Sequence, residues 1–544
     1  MPPARGTERY AGLVAAGILL SRVAGLVRER AIGHFLGAGL AVEAFRAALR
    51  IPNLLQNLLG EGVLSASFIP VHSRLLAQGD HEGAARLAGA VAGFLAVIAG
   101  GLAVVGVVFA RPLAAIVAVG WGGEKLELTV TLMQVLTPGA GLLVLSAWCL
   151  GVLNSHRQFF LSYVAPVLWN AAMIAALVAG ALTGLSGASL AAALAWGTLV
   201  GSAVQFAVQL PKVLSLSPGL RPSLQLGVPG LRTVMRGAGP VILGRGVVQV
   251  LAYVQLLLAS LLAAGAVAAL TYAQVLFLLP VSIFGMSVAA AELPGLSSGD
   301  IDTADLRLRL RRGIDRITFY VLPASVAYLV IGDRIVALLY QSGRFDRATT
   351  VQVWIVLAAY SLGLLATTWS RLLQSVFYGA GDTRTPATIA AVRVAISSSL
   401  GLALMLQFDA FRLSPTGLEQ IAELPVLRPF SIEVRTAAEN LHRLGAVGLS
   451  LAAGLGAWVE LVLLRRRSRT MTGKVALAGP SLSRVVGAAA VAALAGLAVR
   501  FLTQPLGPVL AGLASTGVFG VVYLGAAWLL EIPEVRSLRS LLRR

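Results

Sequence analysis

Residues 21–70 read SRVAGLVRERAIGHFLGAGLAVEAFRAALRIPNLLQNLLGEGVLSASFIP. The stretch is apolar enough to lie in a bilayer, yet it carries Arg22, Arg28, Glu29, Arg30, Glu43, Arg46, Arg50 and Glu61. Ionisable groups at membrane depth are costly and face a bundle interior or a watery cavity, so they mark a functional site by default. On a helix, Glu43 and Arg50 share a face and Arg46 lies one turn from each. Gly37, Gly39, Pro52, Gly60 and Gly62 interrupt the pattern, and such breaks are tolerated where irregular backbone lines a cavity rather than lipid. The stretch predicts a cationic chamber inside a helical transporter, shaped for an anionic substrate.

Composition agrees with a membrane-embedded chain. Of 544 residues, 57% are hydrophobic and 12% charged, with a mean hydropathy of +0.83. Ordinary soluble domains carry about twice that charged fraction, which excludes a soluble globular protein. The 59 glycines suit close helix contact in lipid. A single cysteine, Cys149, in an apolar run leaves neither a disulfide framework nor a cysteine metal site. The net charge of +19 reads as positive-inside topology and contact with anionic lipid heads rather than as nucleic-acid binding. His34, His72, His81, His156 and His442 are scattered without metal-ligand spacing, and no GxxxxGK[ST] loop occurs. No cofactor, built-in ATPase or catalytic constellation is expected, so the chain does not read as an enzyme. The opening MPPARGTERY lacks the apolar core of a cleavable signal.

Apolar runs of the ~20 residues needed to span a bilayer as helix recur along the chain. They predict an all-α polytopic membrane protein with about 14 transmembrane helices. The loops holding Arg74, Arg157, Lys212, Arg221, Arg232, the Arg307/Arg309/Arg311/Arg312 cluster, Arg384, Arg465, Arg466, Arg467 and Arg469 fall on one side, as do both termini. That side carries roughly 25 basic residues against about 12 opposite, and positive loops stay inside. Both termini are therefore expected in the cytoplasm. An internal repeat at an offset of roughly 225 residues sets 41–70 against 266–294, with Gly60 on Gly285 and Arg22 near Arg245. Trp148 has a counterpart in Trp369. The expected organisation is an N-lobe over 1–212, a cytoplasmic linker over 213–236, and a C-lobe over 237–464. Two last spans and a basic tail occupy 465–544. Each lobe holds six spans, the two are pseudo-symmetric, and a substrate site is expected between them near mid-membrane. The polar segment 409–443 reads as an extracytoplasmic insertion within the C-lobe.

The opening stretch closely resembles the N-terminal signature of the MurJ/MviN family, the lipid II flippases of the MOP exporter superfamily. Ser21, Arg22, Gly25 and Arg28 match its first part; Gly37, Ala38, Gly39, Ala44, Phe45, Arg50, Ile51, Pro52, Asn53, Leu54, Leu55, Glu61, Gly62, Phe68 and Pro70 match its second. Glu43 stands where the family has Asp. Further matches run through 153–174, 257–273, 279–288, 339–346, RLLQSVFYGAGDTRTP (371–386) and 447–464. The resemblance implies two six-helix lobes forming a V-shaped cavity and two C-terminal helices forming a lipid-facing groove. It implies outward movement of lipid-linked peptidoglycan precursor in the cytoplasmic (inner) membrane by alternating access, with Arg22, Arg28 and Glu43 lining the cavity.

The chemistry required is ion pairing. A lipid-linked precursor presents a diphosphate, for which arginine offers planar, bidentate, always-charged contacts. Arg50 joins the candidate cavity set; Glu61, Arg371, Asp382 and Arg384 are candidate structural or gating residues. Two readings stand for Arg28, Glu29 and Arg30: cavity lining, or charges marking the external end of the first span. Arg50 and Glu61 carry the same ambiguity at the internal end of the second. Gln56 and Val275 stand where relatives carry arginine, and Arg46 and Arg245 are unexpected arginines on nearby helices. They are expected either to restore the lost cavity charge or to pair locally with Glu43 or a backbone carbonyl. The expected partners are the anionic precursor, membrane lipids and cell-wall synthesis proteins. An ion gradient or the membrane potential would drive the cycle. An exporter of another polyprenyl-diphosphate glycan and a transport-inactive scaffold for envelope synthesis are the alternatives.

Overall fold

In hydrocarbon every backbone N–H and C=O must be satisfied within the chain, so long apolar runs fold as helices. The computed structural model describes residues 5–285, 303–414, 417–437, 440–473 and 480–535. They divide into two units, Met1–Ser260 and Leu261–Arg544. The first comprises α1 (Arg5–Leu36), α2 (Leu40–Ala48), α3 (Arg50–Leu59), α4 (Glu61–Ala77), α5 (His81–Val108), α6 (Ala110–Val117), α7 (Gly123–Ser155), α8 (Phe159–Leu182), α9 (Gly187–Leu216) and α10 (Leu231–Ser260). The second begins with α11 (Ala266–Pro280), which runs into a π turn, Val281–Gly285. It continues with α12 (Thr303–Val330), α13 (Gly332–Tyr340), α14 (Arg347–Ser361), α15 (Leu364–Gly379) and α16 (Arg384–Phe408). A two-stranded hairpin, β1 (Phe411–Ser414) and β2 (Gly417–Gln420), and the short α17 (Ile432–Thr436) precede α18 (Gly445–Thr472), α19 (Pro480–Leu502) and α20 (Pro508–Leu529).

Among the described residues, ten helical stretches are long and apolar enough to cross a membrane, or up to twelve if each of two bent pairs is one span. The bent pairs are α12 with α13, at 86°, and α14 with α15, at 44°. In addition, α1 has 32 residues and α10 has 30. The fold is all-α and polytopic.

Local differences from the sequence reading have local causes. Beyond the break at Gly60 the chain continues as helix to Ala77, so Arg74, expected in a loop, lies in the last turn of α4. The breaks fall at Gly37–Gly39, where Gly37 has φ +70, at Leu49 and at Gly60. Pro52 sits in the first turn of α3, where a missing N–H breaks no helical bond. The basic connector 305–316 is helical, continuous with α12. The region around the expected linker is spanned by α9 to Leu216 and α10 from Leu231. Between them the chain crosses α5: Ser223 N donates to Gly89 O at 3.1 Å. A side chain at Gly89 or Gly93 would strike the carbonyls of Arg221 and Ser223.

Within the first unit α7 packs on α5 and α9, and α8 on α9 and α1. Within the second, α15 packs on α12 and α18, and α16 on α18. The two tryptophans paired by the expected repeat each donate to a neighbouring helix. Trp148 Nε1 on α7 donates to Ala88 O on α5 at 3.1 Å; Trp369 Nε1 on α15 donates to Thr318 Oγ1 on α12 at 3.2 Å.

Segment 409–443 is fastened to the second unit's helices. Gln407 donates to Val426 O at 2.8 Å and accepts from Val426 N at 3.1 Å. Gln352 Nε2 on α14 donates to Arg443 O at 3.0 Å. Ala264 N donates to Arg435 O at 2.9 Å. Arg443, 1% exposed, donates from Nε to Asp409 O at 2.8 Å and lies 3.9 Å from the Phe430 ring centroid.

Candidate functional site

The charged residues of the opening stretch assemble around two buried carboxylates. Glu29, on α1, is 2% exposed. Arg28 Nη2 donates to its Oε1 at 2.7 Å. Arg46, from α2, engages both carboxylate oxygens: Nη1 donates to Oε1 at 3.2 Å and Nη2 to Oε2. The turn at Gly37–Gly39 folds α2 back so that a residue 17 positions on forms this fork. Arg28 Nη1 donates to Asn170 Oδ1 on α8 at 2.9 Å, and its guanidinium lies 5.1 Å from the Trp169 ring centroid. Asn170 is oriented in turn by donating to Pro166 O at 2.9 Å. Two guanidiniums share one carboxylate here, so the trio carries one net positive charge in a mostly desolvated setting.

The second carboxylate, Glu43, is 1% exposed and accepts from Lys125 Nζ on α7, itself 4% exposed. The ammonium also sits 3.8 Å from the Trp121 ring centroid, a cation–π contact. Glu43, expected to line the cavity, has its carboxylate engaged by a buried cation that the sequence pattern did not single out.

The remaining candidates are dispersed. Arg22 is exposed on α1. Arg50 is half-buried, and its backbone carbonyl accepts from Tyr253 Oη of α10 at 2.6 Å. The side chains of Glu61 and Arg245 lie outside the described residues. Arg371 and Arg384 are exposed. Asp382 accepts from Arg384 N and Thr385 N, both at 3.0 Å, and therefore caps the start of α16. Hydrogen bonds from Thr385 hold its carboxyl below the ordinary aspartate range. Gln56 and Val275, the neutral replacements, are both half-buried. Among the described residues no three His, Cys, Asp or Glu side chains converge as a metal site would require.

Sequence reasoning missed Lys125, in the first turn of α7, and Trp169 and Asn170, both on α8. It also missed Glu460 on α18, 3% exposed, which accepts from Gln374 at 2.9 Å and Arg393 at 2.7 Å. Lys125 and Glu460 offered the signal of a charge at the edge of, or inside, an apolar run; the uncharged Trp169 and Asn170 offered none.

The family profile described as "Lipid II flippase MurJ" matches residues 32–417. The chain belongs to the MurJ family. A relative from Burkholderia cenocepacia named "Lipid II flippase MurJ" is 31% identical over 95% of this chain and 96% of its own length. A solved structure titled "Lipid II flippase MurJ, inward closed conformation" superposes with a TM-score of 0.71 at 18% identity, covering 95% of this chain and 98% of that one. The fold extends to the wider superfamily: an inward-facing multidrug resistance MATE transporter superposes with a TM-score of 0.62 at 17% identity, covering 84% of this chain and 95% of its own. Within the MurJ frame the matched profile includes Glu43, Arg46, Arg50, Glu61, Arg371, Asp382 and Arg384.

Proposed function

We propose that this chain is a flippase that carries lipid-linked peptidoglycan precursor, lipid II, across the cytoplasmic membrane by alternating access, with Arg28 and Arg46 presenting guanidinium groups to the diphosphate. The observation that carries the reading is the Arg28–Glu29–Arg46 trio on the two helices that bear the family signature. A diphosphate moved through hydrocarbon without partners faces a desolvation cost of many kcal/mol. Guanidiniums held in an aqueous chamber replace its water while the polyprenyl tail stays in lipid. In the ligand-free trio Glu29 acts as a resident counter-ion, keeping two arginines oriented at low dielectric. An entering diphosphate, with more charge and more acceptor oxygens, competes for the same donors. When the chamber opens to the far side, Glu29 reclaims them and assists release. The membrane potential or an ion gradient drives the cycle, and both termini face the cytoplasm. The family is one of transporters rather than catalysts, and cell-wall synthesis proteins are the partners such a carrier would feed.

Expression in cells depleted of their own flippase tests the reading. Rescue by the intact chain, and loss of rescue in Arg28→Ala and Arg46→Ala at undiminished expression, are expected. Because Gln56 and Val275 replace arginines, a different polyprenyl-diphosphate glycan is the second reading. Loss of that glycan alone on deletion of the gene would favour it. Unchanged envelope chemistry with lost partner recruitment would favour a scaffold.

A further inference from the structure

A second arginine cluster lies in the unit Leu261–Arg544, whereas the trio belongs to Met1–Ser260. At Ile331 the chain turns by 86°, so α13 runs across the end of α12 that is remote from its basic first turns. Asp333, in the first turn of α13, is fully buried. Its Oδ2 lies 3.2 Å from Arg347 Nη2, 3.4 Å from Arg500 Nη2 and 4.0 Å from Arg334 Nε. Arg334 Nη2 also donates to Arg500 O at 3.1 Å, and Arg500 Nη1 to Val330 O at 3.3 Å. These carbonyls belong to the C-terminal turns of α19 and α12, each equivalent to roughly half a negative charge. Three guanidiniums thus face one carboxylate and two helix ends, which leaves about one full positive charge unanswered. Among the described residues the nearby Asp346 forms no ion pair with the three arginines; its Oδ1 caps α14, accepting from Thr349 N at 2.8 Å.

Two further observations point to what answers that charge. Arg347 is half exposed at 51% and Arg500 is 26% exposed, so both present free donor edges outward. Beside them, the ends of α19 and α20 expose Phe501, Leu502, Val509 and Leu510, while Trp354 lies 5.4 Å beneath the Arg500 guanidinium. Gly512 lets α20 approach this corner, since a Cβ there would fall 2.7 Å from Arg334 O. Cations level with a bare apolar face and an interfacial tryptophan are the arrangement that holds a lipid by headgroup and tail together. The placement is also against the charge trend: with the termini cytoplasmic, as the proposed function has them, this end is extracytoplasmic, where arginines are disfavoured unless employed.

We propose that Arg334, Arg347 and Arg500 form a binding site for the phosphate of an anionic lipid headgroup in the outer leaflet, with Asp333 as the buried post that orients the three guanidiniums. Phosphate oxygens accept from the outward edges of Arg347 and Arg500, beside the exposed apolar ends of α19 and α20.

The test is native mass spectrometry and thermal unfolding of the full chain in phosphatidylcholine discs with and without phosphatidylglycerol, and with polyprenyl diphosphate added. Retention of either anionic lipid about tenfold above zwitterionic phosphatidylcholine is expected. That preference should fall about tenfold in Arg347→Gln, whose exposed side chain makes misfolding a small risk, and again in Arg500→Gln. Arg86→Gln, at an exposed arginine of the other unit, serves as the charge-matched control. Equal retention of all lipids, an undiminished preference in Arg347→Gln, or equal protection by inorganic phosphate would overturn the site. The readout is binding, so its failure leaves the transport assay of the trio unaffected.

Discussion

At the scale of residues, buried charges come in sets whose sums are small. Glu43 and Lys125 exemplify the rule, since each is nearly inaccessible and the two form a buried ion pair. Removing one member of a buried pair is strongly destabilising, whereas removing both costs little. Lys125→Met is therefore expected to destabilise by about 3–5 kcal/mol and Glu43→Gln/Lys125→Met to recover most of it, as measured by thermal unfolding in detergent. Asp409 offers a pH-dependent case outside the spans. Burial pushes its carboxyl up to about 7, with Arg443 and Arg435 pulling in the opposite direction. An unfolded aspartate titrates near ~4, so between about 4 and 7 the folded chain holds a proton that the unfolded chain has lost. The stability this group contributes is complete at low pH and is lost as pH rises to 7. Comparing melting temperatures of the intact protein and Asp409→Asn across that window should show the falling slope only in the former.

At the scale of elements, helix ends and close crossings do most of the positioning. Asp382, within the family-like GDTRTP run, works as a cap through its acceptor oxygen. Asp382→Ala is expected to fray the first turn of α16 by about 1 kcal/mol, and Asp382→Asn to preserve it, which hydrogen exchange at residues 384–388 would read. Retention by asparagine separates capping from a charge-dependent gate. The Gly363–Gly454 crossing lets the α14–α15 bend lie directly on α18: a Cβ at Gly363 would reach 2.9 Å from Gly454 O.

At the scale of the whole molecule, the all-α polytopic class was plain from apolar run lengths, because backbone satisfaction in lipid leaves one local solution. The breaks at Gly37 and Gly60 were legible for the same reason, since they are properties of single residues. Pairings were less so. Arg46 was weighed against Glu43 or a carbonyl and meets Glu29 across a reversal of the chain, and no helical period links positions 29 and 46. Lys125 meets Glu43 across 82 residues, a distance over which one sequence carries no signal. Trp148 and Trp369 each tie two helices of their own unit, one through a backbone carbonyl and the other through a threonine hydroxyl. The proposed orientation, with both termini cytoplasmic, rests on the distribution of basic loops; a phosphatase reporter fused after residue 544 is expected to be inactive and one inserted in 409–443 active.

The segment 409–443 is anchored at Gln352, Gln407 and Ala264, yet it exposes Leu418, at 62%, and Leu427, at 80%. Such a rigidly mounted appendage offers a handle: a fluorophore or nanobody fixed there would track every displacement of its parent helices during turnover without perturbing lipid-facing surface.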